Sequence, residues 1–247
     1  MMKIPNFLKR PIAGLLLFLG MTIGFSSCSD DDDLIVITID DAAELVAYSL
    51  ANQTYGVVND LNYVADEVLT RVDCGQSETN TWSFAETGPG GEISVTSDIS
   101  ESYSKNCDGE ETIQYTYNAD QVLTSVRFDQ VLDIDGDWSV QGVQNGSTEL
   151  IYNGPYNRNG TVTYNLSKGH TETVDYLSTL INLRYDTNAG RITAGVSTFA
   201  IEGTSTEHDG YSYAGDVAFN GADLAIITFS SGEQYELNLE TGDITKL

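Results

Sequence analysis

Apolar positions along this chain follow two different periods. From Val57 to Val72 they recur at helical spacing, with Val57, Leu61, Val64, Val68 and Val72 separated by steps of four, three, four and four. Val58, Ala65 and Leu69 flank the stripe, while Asn59, Asp60, Asp66, Glu67 and Arg71 fall on other faces. The pattern predicts an amphipathic helix from about Asn52 to Asp73, and its stripe needs a partner surface. Upstream, Asp41-Ala42-Ala43-Glu44 has the spacing of a capping box and predicts a short helix to about Ala51. The apolar run from Leu34 to Ile39 before it reads as one strand.

From Thr79 onward the helical period disappears and alternation replaces it. Ile93, Val95, Ser97 and Ile99 alternate with polar residues, as do Ile113, Tyr115 and Tyr117, which predicts half-buried strands. Turn signals punctuate the runs: Gly88 to Gly91, Cys107 to Gly109, Asp135-Gly136, Asn145-Gly146, Asn159-Gly160, Asn188 to Gly190, Asp209-Gly210, Asn220-Gly221, Ser231-Gly232 and Thr241-Gly242. Asn-Gly and Asp-Gly suit hairpin turns because their backbones reach positive φ readily. Gly210, Gly221, Gly232 and Gly242 recur every ten or eleven residues, the spacing of an up-and-down sheet.

The expected fold is therefore mainly β (α+β). A helical segment over residues 34–78 packs on an antiparallel meander over residues 79–247. The meander is either a curved half-barrel covered by the helix or a two-sheet sandwich. A single long amphipathic helix suited to one concave face favours the half-barrel.

Residues 1–27 have the parts of an export signal: Lys3, Lys9 and Arg10, then an apolar run of 14 residues from Ile12 to Phe25, then small residues before Cys28. The run is shorter than the ~20 residues of a membrane span. A cleavage site ending on a cysteine resembles the lipobox of bacterial lipoproteins. That resemblance implies that Cys28 is acylated and becomes the first residue of the mature chain. Ser29 and four successive aspartates, Asp30, Asp31, Asp32 and Asp33, follow; their mutual repulsion predicts an extended solvated tether over residues 28–33. The same arrangement resembles the export signal of surface lipoproteins in the Bacteroidota, which implies the outer leaflet of the outer membrane.

Removing residues 1–27 leaves 8 basic against 37 acidic residues, a net charge of −29. Such a field repels phosphate, which excludes nucleic-acid binding. Apolar content of 40% with 14 tyrosines nevertheless marks a folded chain. With Cys28 acylated, Cys74 and Cys107 are left to pair as a disulfide closing a 34-residue loop.

The layout also resembles a group of flavobacterial-type lipoproteins with no established activity. The shared points are the lipobox and acidic tether, Cys74-Gly75, Cys107, Trp138 to Val140, Asn153-Gly154-Pro155-Tyr156 and Thr241 to Asp243. The resemblance implies a family and no reaction.

Candidate chemistry is sparse. Asp133, Asp135 and Asp137 alternate as calcium ligands do, but Trp138 and Gln144 stand where that loop needs Gly and Glu, so a hairpin turn is expected. Ser102 and Lys105 have Ser-x-x-Lys spacing, yet residues three apart on a strand face opposite sides. No metal site, cofactor site or catalytic set is expected, and His170 and His208 read as loop residues. Tyr152, Tyr156, Tyr164, Tyr211 and Tyr213 are the candidate ligand platform, as exposed rings able to stack on a glycan. The expected function is a non-enzymatic binding or structural module held at the membrane by its lipid. The alternatives are a carrier of an apolar ligand in a cavity lined by Leu61, Val64 and Val68, and a hydrolase of extracellular polymer.

Overall fold

A computed structural model describes residues 37–67, 73–88, 91–144, 146–166, 170–205 and 209–247. Cys28, Ser29 and Asp30 to Asp33 lie outside the described residues, as do Val68, Leu69, Val72 and His208. Of the strand expected from Leu34 to Ile39, only Ile37, Thr38 and Ile39 are described, and Ile39 opens a helix instead.

Helix α1 spans Ile39–Leu50 and starts earlier than its expected cap. Thr38 is the N-cap: its Oγ1 accepts the Asp41 N–H at 3.2 Å, and the Asp41 carboxylate accepts the Thr38 N–H at 2.8 Å. The capping box is thus Thr38 with Asp41, not Asp41 with Glu44, because an extended threonine already supplies the cap one turn sooner. Glu44 is left to pair with Arg127 at 3.2 Å.

The start of the helix expected over residues 52–73 is also corrected. Residues 52–55 form a turn, and helix α2 spans Val57–Asp66 among the described residues. The connection is tight: Tyr55 adopts a φ of +55°, and a Cβ on Gly56 would lie 2.6 Å from the Ser49 carbonyl oxygen. No side chain fits at position 56 without moving α1. Leu61 and Val64 do bury their stripe completely, as the period predicted.

The rest is one antiparallel sheet of eleven strands: β1 (Ser77–Thr87), β2 (Ile93–Asn106), β3 (Thr112–Ser125), β4 (Phe128–Gln141), β5 (Glu149–Tyr164), β6 (His170–Asp186), β7 (Arg191–Thr204), β8 (Tyr211–Gly221), β9 (Leu224–Phe229), β10 (Gln234–Asn238) and β11 (Ile244–Lys246). Spatial order equals chain order, so the sheet is an open meander with β1 and β11 at its edges. Burial alternates along the strands, and one face carries the core: Trp138, Tyr152, Tyr156, Ile201 and Leu237 are all fully buried.

Curvature follows from what the helices reach. A flat sheet of this size would be about 48 Å wide, from ~4.8 Å per strand, against a helix diameter of about 10 Å. Yet Tyr63 of α2 packs on Trp82 of β1 with ring centroids 5.2 Å apart, and Asp40 of α1 bonds Lys246 of β11 at 2.8 Å. The sheet therefore curls round the helices as a half-barrel.

Three expected turns move. Asp135-Gly136 lies inside β4 and Asn159-Gly160 inside β5. Gly136 serves close approach: a Cβ there would meet Tyr117 Cε1 at 2.5 Å. The preceding turn is instead Val126-Arg127, held by Ser125, whose Oγ donates to the Phe128 carbonyl at 2.8 Å and accepts the Arg127 and Phe128 N–H groups. The β8–β9 turn centres on Ala222-Asp223, both at positive φ, not on Asn220-Gly221. Cys74 and Cys107 form the expected disulfide, their Cα atoms 5.6 Å apart.

Candidate functional site

The candidate tyrosines do not form an exposed platform. Tyr152, Tyr156 and Tyr164 are buried, and Tyr211 and Tyr213 are half-buried, because all five point to the face that the helices cover. The structure separates them into two groups. Tyr152 and Tyr156 flank Trp138 at 6.2 and 6.1 Å between ring centroids. Tyr164, Tyr211 and Tyr213 gather near the start of β6 and β8, with Tyr211 and Tyr213 rings 5.6 Å apart.

Tyr152 and Tyr213 donate to the carbonyls of Leu61 and Ile37 at 3.3 and 2.9 Å, whereas Tyr164 and Tyr211 serve a buried acid. Glu172 accepts Tyr211 at 2.6 Å and also Tyr164, while His170 Nε2 stands 3.9 Å from its other oxygen. Burial and the Glu172 charge push both tyrosines well above their ordinary range. Glu101 accepts Tyr115 at 2.9 Å and Tyr63 at 3.0 Å. Asp60 of α2 accepts Tyr117 of β3. Its enclosure raises the Asp60 carboxyl to about 7, against the lowering effects of the Tyr117 hydroxyl and the Arg158 charge.

Arg158 is itself buried. It donates to Gln121 Oε1 at 2.6 Å and to the carbonyls of Tyr48 and Tyr55 at 3.4 and 3.5 Å. These groups are matched to one another at the helix–sheet interface, and none of the His170 or Glu172 side chain is exposed. The arrangement fixes helices; it does not present chemistry to solvent.

Asp133, Asp135 and Asp137 lie on the outer face of β4, where Asn157 donates to Asp135 at 2.8 Å and Gln114 bonds Asp137. Among the described residues, the one trio of possible metal-ligand atoms within 4.8 Å is Cys74, Cys107 and Glu111, and the disulfide takes both sulfurs.

One accessible feature is at the seam of the half-barrel. Asn52 and Gln53 donate their N–H groups to the Leu239 and Glu240 carbonyls at 2.8 and 2.9 Å. On the other side, Tyr55 packs on Phe84 of β1 at 5.9 Å and donates to Glu86 at 3.2 Å. The interhelical turn thus spans from β1 to the segment after β10. Beside it opens a cleft of about 420 Å³, lined by Tyr48 of α1 and Gln53 of the interhelical turn, Glu92 and Ile93 before and in β2, Val126 and Arg127, Leu166, and Asp243. That volume falls within the usual range of ligand sites, ~300–1,000 Å³.

Val126 and Leu166 are 61% and 74% exposed, two large apolar side chains left in water at one lip. Burial pushes the Glu44 carboxyl and the Tyr48 hydroxyl up, despite the Arg127 charge beside them. The Ser125 hydroxyl is committed to its own turn. The arrangement can bind, through polar groups and the exposed apolar side chains of Val126 and Leu166.

Sequence reasoning missed this cleft because five separated segments build it. The local signal was Ser125-Val126-Arg127, a turn without Gly or Asn that places a valine and a scarce cation together. Compared with protein-family models, curated proteins and solved structures, the chain matches none.

Proposed function

We propose that this chain is an acylated outer-membrane lipoprotein, displayed at the cell surface, whose half-barrel is a non-enzymatic binding module. The seam cleft carries the binding part of the reading: about 420 Å³, lined by polar side chains together with the exposed Val126 and Leu166. The anchor rests on the export-type segment that ends at Cys28 and on the aspartates after it. Two or three acyl chains hold a protein firmly, since each buried methylene contributes about 0.8 kcal/mol. The non-enzymatic part rests on Ser125 being bound in a turn and on His170 and Glu172 being buried.

Methyl NMR on the folded protein tests the binding part. A screen of small polar and amphipathic compounds should shift the Ile93, Val126 and Leu166 methyl signals saturably while leaving Leu61 unmoved. A screen in which no compound does so sinks the reading. For the anchor, Cys28→Ala should abolish palmitate labelling and release the chain from the membrane fraction; persistent labelling rules the acylation out.

A further inference from the structure

We infer that the outer edge of β1 is a docking site for an extended basic segment of another protein, which joins the sheet as an added antiparallel strand. Strand β1 pairs with β2 without a break, from Ser77 opposite Ser104 to Thr87 opposite Ser94. Among the described residues no strand pairs with its other edge, so a row of backbone N–H and C=O groups faces outward along eleven residues. Eight of those eleven residues are exposed and none is buried.

Long edges are normally blunted by lysine, proline, a bulge or shortness. The opposite edge follows that rule, since β11 has three residues and carries Lys246. Strand β1 has no lysine, arginine or proline and no bulge. Beside it runs a row of four half-buried rings, Tyr63, Trp82, Phe84 and Tyr55, with successive centroids 5.2, 5.5 and 5.9 Å apart. An added strand would bond the edge through its main chain and lay alternate side chains against that row.

Charge selects the occupant. Glu78 and Glu86 share the face of Trp82 and Phe84, about 27 Å apart at ~3.4 Å per residue. Neither makes an ion pair among the described residues, and Glu86 accepts the neutral Tyr55 hydroxyl at 3.2 Å. A second copy fits poorly: full antiparallel self-pairing sets each Glu78 opposite the other copy's Glu86, and like charges directly opposite are destabilising. The chain's net charge of −26 repels a second copy too, and draws a cationic segment in. The fitting partner is a strand with Lys or Arg eight residues apart and apolar residues alternating between them.

The probe is a capped nonapeptide, Lys-Thr-Val-Thr-Val-Thr-Val-Thr-Lys, whose lysines fall opposite Glu86 and Glu78 in antiparallel register. Hydrogen exchange of the folded protein should slow at every second amide from Ser77 to Thr87 when the peptide binds. Fluorescence anisotropy should show it binding about tenfold more tightly than the same peptide with glutamate at both ends. The double substitution Glu78→Lys, Glu86→Lys should invert that order. Both residues are exposed, and circular dichroism checks that the variant folds. Proline at the peptide's centre should weaken binding, because it removes a donor and breaks the strand. Equal affinity for the two charge types, or no binding by either, overturns the inference. A peptide that shifts the Val126 and Leu166 methyl signals without slowing the β1 amides sits in the seam cleft and overturns it as well. Slow β1 exchange before any peptide is added, with a dimer mass in sedimentation, overturns it in favour of a second copy.

Discussion

Arg158 in β5 donates to the Tyr48 carbonyl of α1 at 3.4 Å, reaching from the sheet into the last turn of a helix more than a hundred residues earlier. The same guanidinium holds Tyr55 and Gln121, so one buried cation fixes the interhelical turn against the sheet. Arg158→Met should cost about 3 kcal/mol or more, the usual loss when one member of a buried polar set is removed. Arg158→Lys should not restore it, because an ammonium lacks the planar fork that serves several acceptors at once. Urea unfolding midpoints of the three proteins decide the matter; a methionine variant as stable as the parent would show the clamp to be inert.

Asp60 gives stability a pH dependence. Its folded carboxyl titrates at about 7, well above the ordinary 3.8, because burial outweighs Tyr117 and Arg158. Between those values the folded chain holds a proton that the unfolded chain has released. Stability from this group is therefore greatest in acid and falls as pH rises through the window, by at most about 1.4 kcal/mol per unit. Asp60→Asn should flatten that slope in urea unfolding from pH 5 to 8; an identical slope in both proteins would place the titration elsewhere.

The Cys74–Cys107 bond ties the approach to β1 to the β2–β3 turn, 33 positions apart. By chain entropy its removal as Cys74→Ser, Cys107→Ser should cost ~3 to 4 kcal/mol. The urea midpoint of the double variant, compared with that of the oxidised parent, measures the loss.

Gly136→Ala places a methyl where Tyr117 Cε1 lies 2.5 Å from the ideal Cβ. Overpacking of this kind typically costs ~1 to 3 kcal/mol. Tyr117 also packs edge-on against Trp138 at 5.5 Å, so near-ultraviolet circular dichroism should change with it. An unaltered spectrum and midpoint would mean the ring moves aside freely.

The meander was legible because a half-buried strand writes its burial into the chain at period two. Val95, Tyr115 and Tyr117 are buried as their alternation required. Turn placement was less legible, since glycine has two uses. At Gly242 it supplies a positive φ of 80°, while at Gly136 it makes room for a ring, and the sequence looks the same. The start of α2 was not legible because residues 52–55 turn ahead of the stripe for a tertiary reason, the pairing of Asn52 and Gln53 with Leu239 and Glu240. The tyrosines were identified as a set, but which face they occupy depends on the helix cover. The cleft could not be read at all, because no local period links Tyr48, Val126 and Asp243.

The contacts of α1 also set an order of events. Every strand pairs with its chain neighbour, so the sheet can grow hairpin by hairpin as the chain emerges, at small loop-closure cost. The helix at its head cannot be secured that way. Tyr213 holds the Ile37 carbonyl, Tyr235 and Lys246 hold Asp40, and Leu239 holds Asn52. The fastening of α1 is complete only when the last strand is in place, and a protein missing its final few residues would lose the Lys246 tie while Arg127, Arg158, Tyr213 and Tyr235 still held the helix.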